Sequence, residues 1–289
     1  MKRGSLFGHG GELYLWGYRA APGDIVIRKS SDEGETWTEP TDETSGLLLR
    51  GRFGGTPNRP VVFHGRIWLA QSGKRVMSAP LEADLLWADS WILSEGAKIG
   101  DGPPGLKHPV VTEAQIVASA ETGVVILPKV GGKPYTILIR AKDDPAAISD
   151  PGPSDWIELP GAEKKFAASY DPVSRRFLSL TNPVLPEYAD SGWPPELIRN
   201  VGTLWVSEDL RRWTEVCRFL ETPHVDYEAF QYFSFDIDGE DLVVAARTAF
   251  DVGGPKPPRG HDSNLITFHR IADFRRLADE AERKAAAGR

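Results

Sequence analysis

Apolar residues in this chain come in short runs of about five, separated by turns rich in Gly, Asp, Ser and Pro. Five of these runs are Glu12-Leu13-Tyr14-Leu15-Trp16, Arg66-Ile67-Trp68-Leu69-Ala70, Gly123-Val124-Val125-Ile126-Leu127, Arg176-Phe177-Leu178-Ser179-Leu180 and Asp241-Leu242-Val243-Val244-Ala245. They start 54, 57, 53 and 65 residues apart. A turn sits at the head of each: Gly10-Gly11, His64-Gly65, Thr122-Gly123, Pro172-Val173-Ser174 and Asp238-Gly239. Such lengths, with β-branched and aromatic residues between turn signals, predict strands. A further strand follows each run and often leads into a polar turn and a tryptophan. Trp37, Trp91, Trp156 and Trp213 repeat at intervals of 54, 65 and 57 residues.

A unit of about fifty residues holding four short strands is the pattern of a propeller blade. The expected fold is therefore all-β, a propeller of four-stranded blades with five repeats. Six blades is the alternative count, because the first repeat opens at Met1 without a lead-in. A β-sandwich is the competing architecture, but its strands would lack a fixed period. Only the stretch from Ala272 onward reads as helix, from its Ala, Glu, Lys and Arg content and lack of Pro. Residues 1–271 are thus expected to form one propeller domain. Residues 272–289 are expected to be a helical tail, packed on the last blade or trailing from it.

The chain has 289 residues and a formal charge of −7, which argues against nucleic acid or an anionic membrane as partner. Nine Trp, seven Tyr and twelve Phe suit a sheet core together with a sugar-stacking site. Cys217 is the single cysteine, so no internal disulfide forms. No apolar run exceeds strand length, and Met1-Lys2-Arg3-Gly4-Ser5 is not followed by a signal core. The expectation is a cytoplasmic protein, unless a segment precedes this sequence.

Polar residues on the first strand of a blade, where Val or Ile is ordinary, mark a channel mouth. Thr56, Asn58 and Arg59 precede Val61-Val62. Glu113 lies between Val110-Val111 and Ile116-Val117, where a carboxylate is costly unless it is paired, faces a wet cavity or turns to solvent at a strand edge. Lys165 precedes Phe166, and Glu228, Gln231 and Tyr232 open the fifth repeat. Arg247 ends an apolar strand and suits bidentate carboxylate recognition, with a structural ion pair to Asp262 as the alternative role. His261, Asp262 and Asn264 close a Gly/Pro-rich loop. They could grip hydroxyls, move a proton, hold a metal or simply cap the loop.

The catalytic candidates are Glu113, Glu228, His261 and Asp262. The substrate-binding candidates are Lys165, Asn182, Arg199, Gln231, Tyr232, Arg247 and Asn264. No metal or cofactor is called for, and the expected partner is a carbohydrate. The leading reading is a glycoside hydrolase with an acid/base or nucleophile pair drawn from Glu113, Glu228 and Asp262. A uronate lyase with His261 as base and Arg247 neutralising the uronate is the second reading. A non-catalytic sugar-binding or scaffold propeller is the third.

One motif is complete. Residues 30–37 read Ser30-Ser31-Asp32-Glu33-Gly34-Glu35-Thr36-Trp37, a Ser-x-Asp-x-Gly-x-Thr-Trp box, and Ser207–Trp213 keeps a shortened copy without the Gly. The box resembles the Asp-box of sialidases and sialidase-like propellers, where it lies at the outer edge of a blade. A bacterial sialidase-like group is similar over about residues 5–275. The similarity is carried by Lys164-Lys165-Phe166, Tyr170–Phe177, Thr181–Val184, Arg199-Asn200, Phe230-Gln231-Tyr232, Arg247-Thr248-Ala249 and His261–Ile271. The resemblance implies a carbohydrate-active, exo-α-sialidase-like propeller, with six blades in its relatives. The early Arg-Ile-Pro of true sialidases is absent here. Related propellers include lyases and rhamnosidases that act at uronates through His, Tyr or Arg.

Overall fold

A computed structural model describes every residue except Lys2, Ala21 and Arg289. The fold is an all-β, five-bladed propeller with one C-terminal helix. The first blade is an antiparallel meander of β1 (Arg3–His9), β2 (Glu12–Tyr18), β3 (Gly23–Ser30) and β4 (Leu47–Phe53). The second holds β5 (Val61–Phe63), β6 (Arg66–Gln71), β7 (Arg75–Pro80) and β8 (Ile92–Leu93). In the third, β9 (Val111–Ser119) and β10 (Gly123–Val130) are followed by a strand broken at Leu138. Its halves are β11 (Tyr135–Ile137), paired with β13 (Trp156–Glu158), and β12 (Ile139–Arg140), paired with β10. The fourth has β14 (Ala167–Asp171), β15 (Arg176–Thr181), β16 (Val201–Ser207) and β17 (Thr214–Glu221), with the short helix α1 (Pro186–Ala189) inserted after β15.

The fifth blade is the smallest in strand number. It has three: β18 (Ala229–Asp238), β19 (Asp241–Ala249) and β20 (Leu265–Ile271). The chain then turns through Asp273, whose φ is +51°, into helix α2 (Phe274–Ala287). The five apolar runs of the sequence are the second strands β2, β6, β10, β15 and β19. Each has a neighbour on both edges and is buried along most of its length, or on alternate residues in β19.

The chain divides into two compact units, residues 1–128 with 137–155, and residues 129–136 with 156 onward. The first has a core of Phe7, Tyr14, Trp16, Ile27, Ile67, Leu69 and Met77. Trp16 is buried and donates its indole N–H to the Asn58 carbonyl at 3.0 Å, so the ring is satisfied as well as packed. In the second unit, Leu178, Leu204, Phe230, Phe233, Val244 and Ala246 pack with Phe274 and Ala278 of α2. Full burial of a side chain such as Phe274 contributes about 1.5–3 kcal/mol. A pair of charged contacts fixes the helix further. Arg275 donates from Nε and Nη2 to the buried Asp171 carboxylate at 2.7 and 2.9 Å, and Arg176 holds Asp279 and Glu282. The tail is thus docked, and it begins two residues later than its composition suggests.

The box of the first blade is a hydrogen-bonded turn. Ser30 Oγ accepts the Gly34 amide at 2.8 Å, Asp32 accepts the Thr36 amide at 2.9 Å and hydroxyl at 2.6 Å, and Trp37 donates to the Gly34 carbonyl at 2.9 Å. Those donors, the Thr36 hydroxyl foremost, hold the Asp32 carboxyl down to about 2. The shortened copy keeps the same logic: Asp209 accepts the Arg211 and Arg212 amides, and Trp213 donates to the Leu210 carbonyl. Leu210 replaces the glycine and takes φ +62°, a strained value that its buried side chain offsets.

Candidate functional site

The second unit gathers most of the predicted site residues around one ring. Strands β18 and β19 pair in register at Gln231↔Arg247 and again at Ser234↔Ala245, so β18 carries one extra residue between those points. This is a β-bulge, and it re-aims a side chain at the cost of local strain. Tyr232 sits in the bulge with φ +54°, an outlier for an aromatic residue. Its ring is approached by three cations: Arg247 at 4.8 Å, Lys165 at 5.6 Å and Arg199 at 5.6 Å from the centroid. His261 meets the same ring edge-on at 6.1 Å. The π face offsets part of the mutual repulsion of these charges.

Backbone hydrogen bonds place each member. Arg199 stands just before β16. Its carbonyl accepts the Phe230 amide at 2.9 Å, and its Nε donates to the Glu196 carbonyl at 3.0 Å. Gln231 is buried, and its Nε2 donates to the Gly260 carbonyl, the His261 carbonyl and Ser263 Oγ at 2.8, 3.1 and 2.8 Å. The loop that carries His261 is thereby tied to β18. Arg247 Nη2 reaches the same His261 carbonyl at 3.3 Å. Asn182 is buried, and its amide donates to the Val201 and Phe230 carbonyls, both at 2.6 Å, joining β16 to β18. Asn264 closes the base of the His261 loop by exchanging two 3.1 Å bonds with the Phe250 backbone.

The electrostatics follow from the clustering. Burial foremost, then the neighbouring Arg199, pushes the His261 imidazole below its ordinary range, against a contact with Asp262 that pulls it up. The ring is neutral at pH 7 and available as a proton acceptor. Behind Lys165, Lys164 is fully buried and ion-paired with Glu163, and its Nζ donates to the Pro195 carbonyl at 2.9 Å. Desolvation lowers its pKa, and Glu163 opposes that. Glu163 escaped the sequence reading. Its signal was a charged Glu-Lys-Lys run set directly against Phe166.

The carboxylates are less concentrated than the cations. The expected alternative of an Arg247–Asp262 ion pair is not what forms: Asp262 takes Arg259 Nε at 2.9 Å and faces His261 Nδ1 at 3.5 Å. Glu228 is buried and accepts a short hydrogen bond from Thr222 Oγ1. Glu113 belongs to the first unit, where it accepts from Thr56 Oγ1 at 2.7 Å with φ +49°, another strained residue inside a strand. Asn58 and Gln115 flank it, joined at 3.1 Å. Among the described residues no cluster of three or more His, Cys, Asp or Glu side chains could hold a metal.

No protein-family model and no curated protein matches this sequence. Solved structures do resemble it. A sialidase from Streptococcus pneumoniae, NanB, is 14% identical with a TM-score of 0.54, over 86% of this chain and 36% of its own. An α-L-arabinofuranosidase from Clostridium thermocellum is 12% identical with a TM-score of 0.53, over 86% and 82% of the two chains. A β-1,3-galactosidase of the GH43 class, bound to galactodeoxynojirimycin, is 12% identical with a TM-score of 0.51, over 93% and 89%. At these identities the likeness is one of fold, and it is shared with several classes of carbohydrate-cleaving enzyme rather than with sialidases in particular.

Proposed function

We propose that this chain is a carbohydrate-active enzyme of the glycosidase type whose second-unit site receives an anionic sugar. The observation that carries the reading is the convergence of Arg247, Arg199 and Lys165 on the strained Tyr232 ring. The bulge brings two guanidinium groups and one ammonium to a single ring, and guanidinium groups fit a carboxylate. Tyr232 supplies an aromatic surface for the sugar ring. The fold shared with a sialidase, an arabinofuranosidase and a galactosidase supports glycan chemistry, and the Asp-box in the first blade is in keeping with the sialidase branch. Glu228 and Asp262 are the second-unit carboxylates offered as acid and base, and Glu113 remains the candidate from the first unit.

A second reading has an observation of its own. His261 is held neutral beside Arg199 and Arg247, which suits abstraction of the proton α to a uronate carboxylate. The C–H electrons would then form the ring double bond as the neighbouring C–O bond breaks. The test is incubation with panels of sialosides, uronate-containing glycans and neutral arabinosides and galactosides. New reducing ends without ultraviolet absorbance indicate hydrolysis, and an unsaturated uronate product indicates elimination. Binding of sialate or glucuronate without turnover of any panel member would leave a binding module. No preference for anionic over neutral sugars would refute the reading of the cation cluster.

A further inference from the structure

Lysine is almost never fully buried unless it is paired, and Lys164 is both buried and paired. Its partner Glu163 is only 4% exposed. Two charges so buried lose in desolvation much of what their attraction returns, and a Met or Leu pair would fill the space at less cost. The pair therefore calls for a role other than stability. The segment that carries it is fixed at its own base. Gly161, at φ +89°, passes so close to the end of β15 that a Cβ there would lie 2.6 Å from the Asn182 carbonyl carbon. Thr181 Oγ1 donates to the Pro160 carbonyl at 2.6 Å, and the Lys164 amide donates to the Gly161 carbonyl at 3.1 Å. From that footing Lys165 reaches the Tyr232 ring, while Lys164 is directed into the interior.

What Lys164 reaches there is the turn before Arg199. Its Nζ donates to the Pro195 carbonyl at 2.9 Å, across 31 residues of sequence. Pro195–Leu197 is a single 3-10 turn, in which the same carbonyl accepts the Ile198 amide at 3.3 Å. The next carbonyl along, that of Glu196, accepts Arg199 Nε at 3.0 Å. Consecutive peptide groups of the turn are thus held by two cations, Lys164 from the core and Arg199 from the site. The guanidinium follows the carbonyl that its Nε uses, so a shift of the turn would move the group that stands 5.6 Å from the Tyr232 centroid. A site carried on an irregular turn needs such support, because a loose backing misplaces the group that touches ligand.

We propose that the Glu163–Lys164 pair is a positioning device for Arg199: Lys164 fastens the Pro195–Leu197 turn, and the turn sets the guanidinium over Tyr232. Glu163 is the counter-ion that favours the charged form of the buried ammonium. His261 reports where Arg199 stands, because Arg199 is the foremost of the charges acting on its imidazole, with Arg247 and Arg259 on the same side and Asp262 opposed. The test is the His261 pKa, read by nuclear magnetic resonance without ligand, in the full chain. The variants are Glu163→Gln/Lys164→Met, Arg199→Ala and all three changes together. Replacing both members of the pair strands no charge and keeps the net charge, so the fold should hold. Glu163→Leu/Lys164→Met, which buries no polar atom, serves where it does not. The expected result is an upward shift in the pair variant and in Arg199→Ala, with no further rise when the changes are combined. A folded pair variant with the wild-type His261 pKa would overturn the proposal. So would a combined variant in which the pair adds its full shift to that of Arg199→Ala, since the effect would then bypass Arg199. The consequence for a ligand rests on the reading of the cluster as an anion site. Titration calorimetry with sialate or glucuronate should show the pair variant binding about tenfold more weakly, with no such loss in the Arg199→Ala background. If the wild type binds neither anion, that reading fails, and the resonance result alone decides the positioning role.

Discussion

Arg247→Ala separates a ligand-gripping arginine from a structural one. In the folded protein Arg247 makes one long hydrogen bond, 3.3 Å to the His261 carbonyl, and lies 4.8 Å over Tyr232. Asp262, its expected ionic partner, is taken by Arg259. Removing Arg247 therefore strands no buried carboxylate. Its loss should cost about 0.5–2 kcal/mol of cation–π contact, less whatever repulsion from Arg199 is relieved. For a chain of this size that is a melting shift of a few degrees, at about 2–4 °C per kcal/mol. A charge-assisted bond to a ligand carboxylate is worth about 1.5–3 kcal/mol, so affinity for an anionic sugar should fall about 10- to 150-fold. Titration calorimetry with sialate or glucuronate, beside a thermal melt, reads both quantities. Arg247→Lys should be intermediate, keeping the charge but not the fork. Nuclear magnetic resonance adds an independent readout: Arg247 is one of the charges depressing His261, so that pKa should rise in the alanine variant. Unchanged affinity in a folded variant would refute the reasoning. A collapse of stability well beyond the few degrees expected would do so too.

Three other outcomes follow from the same structure. Arg275→Ala leaves the buried Asp171 unpaired and should cost about 3–5 kcal/mol in urea unfolding. Asp171 is held down to about 2 from an ordinary 3.8, so the stability it confers is complete above about pH 4 and is lost as pH falls toward 2. The loss is about 2.5 kcal/mol, and an acid titration of Arg275→Ala that matched the wild type would contradict it. Tyr232→Gly should be more stable than Tyr232→Ala by about 1 kcal/mol, because only glycine takes φ near +54° without strain; equal stabilities would mean the bulge has relaxed. Asp32→Ala should speed hydrogen exchange at the Thr36 amide, which Asp32 accepts, while the Gly34 amide stays protected by Ser30; equal exchange at Thr36 would show that the turn does not need the carboxylate.

The five second strands, the Trp spacing and the box were legible in the sequence because each is a local feature. The buried residues of a strand show as a short apolar run between turns, and the box makes its hydrogen bonds within eight residues. The tail helix was legible from composition for the same reason. Which candidates meet was not legible, because that depends on register between distant strands and on a single extra residue in β18. The bulge turns Tyr232 toward Lys165, Arg199 and Arg247, side chains up to 82 residues apart in the sequence. A one-residue shift in such a pairing would send the same ring to the other face. Likewise the sequence offered Asn182, Gln231 and Asn264 as polar groups without saying that backbone carbonyls and amides would claim them, or that Arg259 rather than Arg247 would take Asp262. Periodicity fixed where the strands lie; the tertiary structure decided which charges share a site, since desolvation and pairing exist only once those strands are packed.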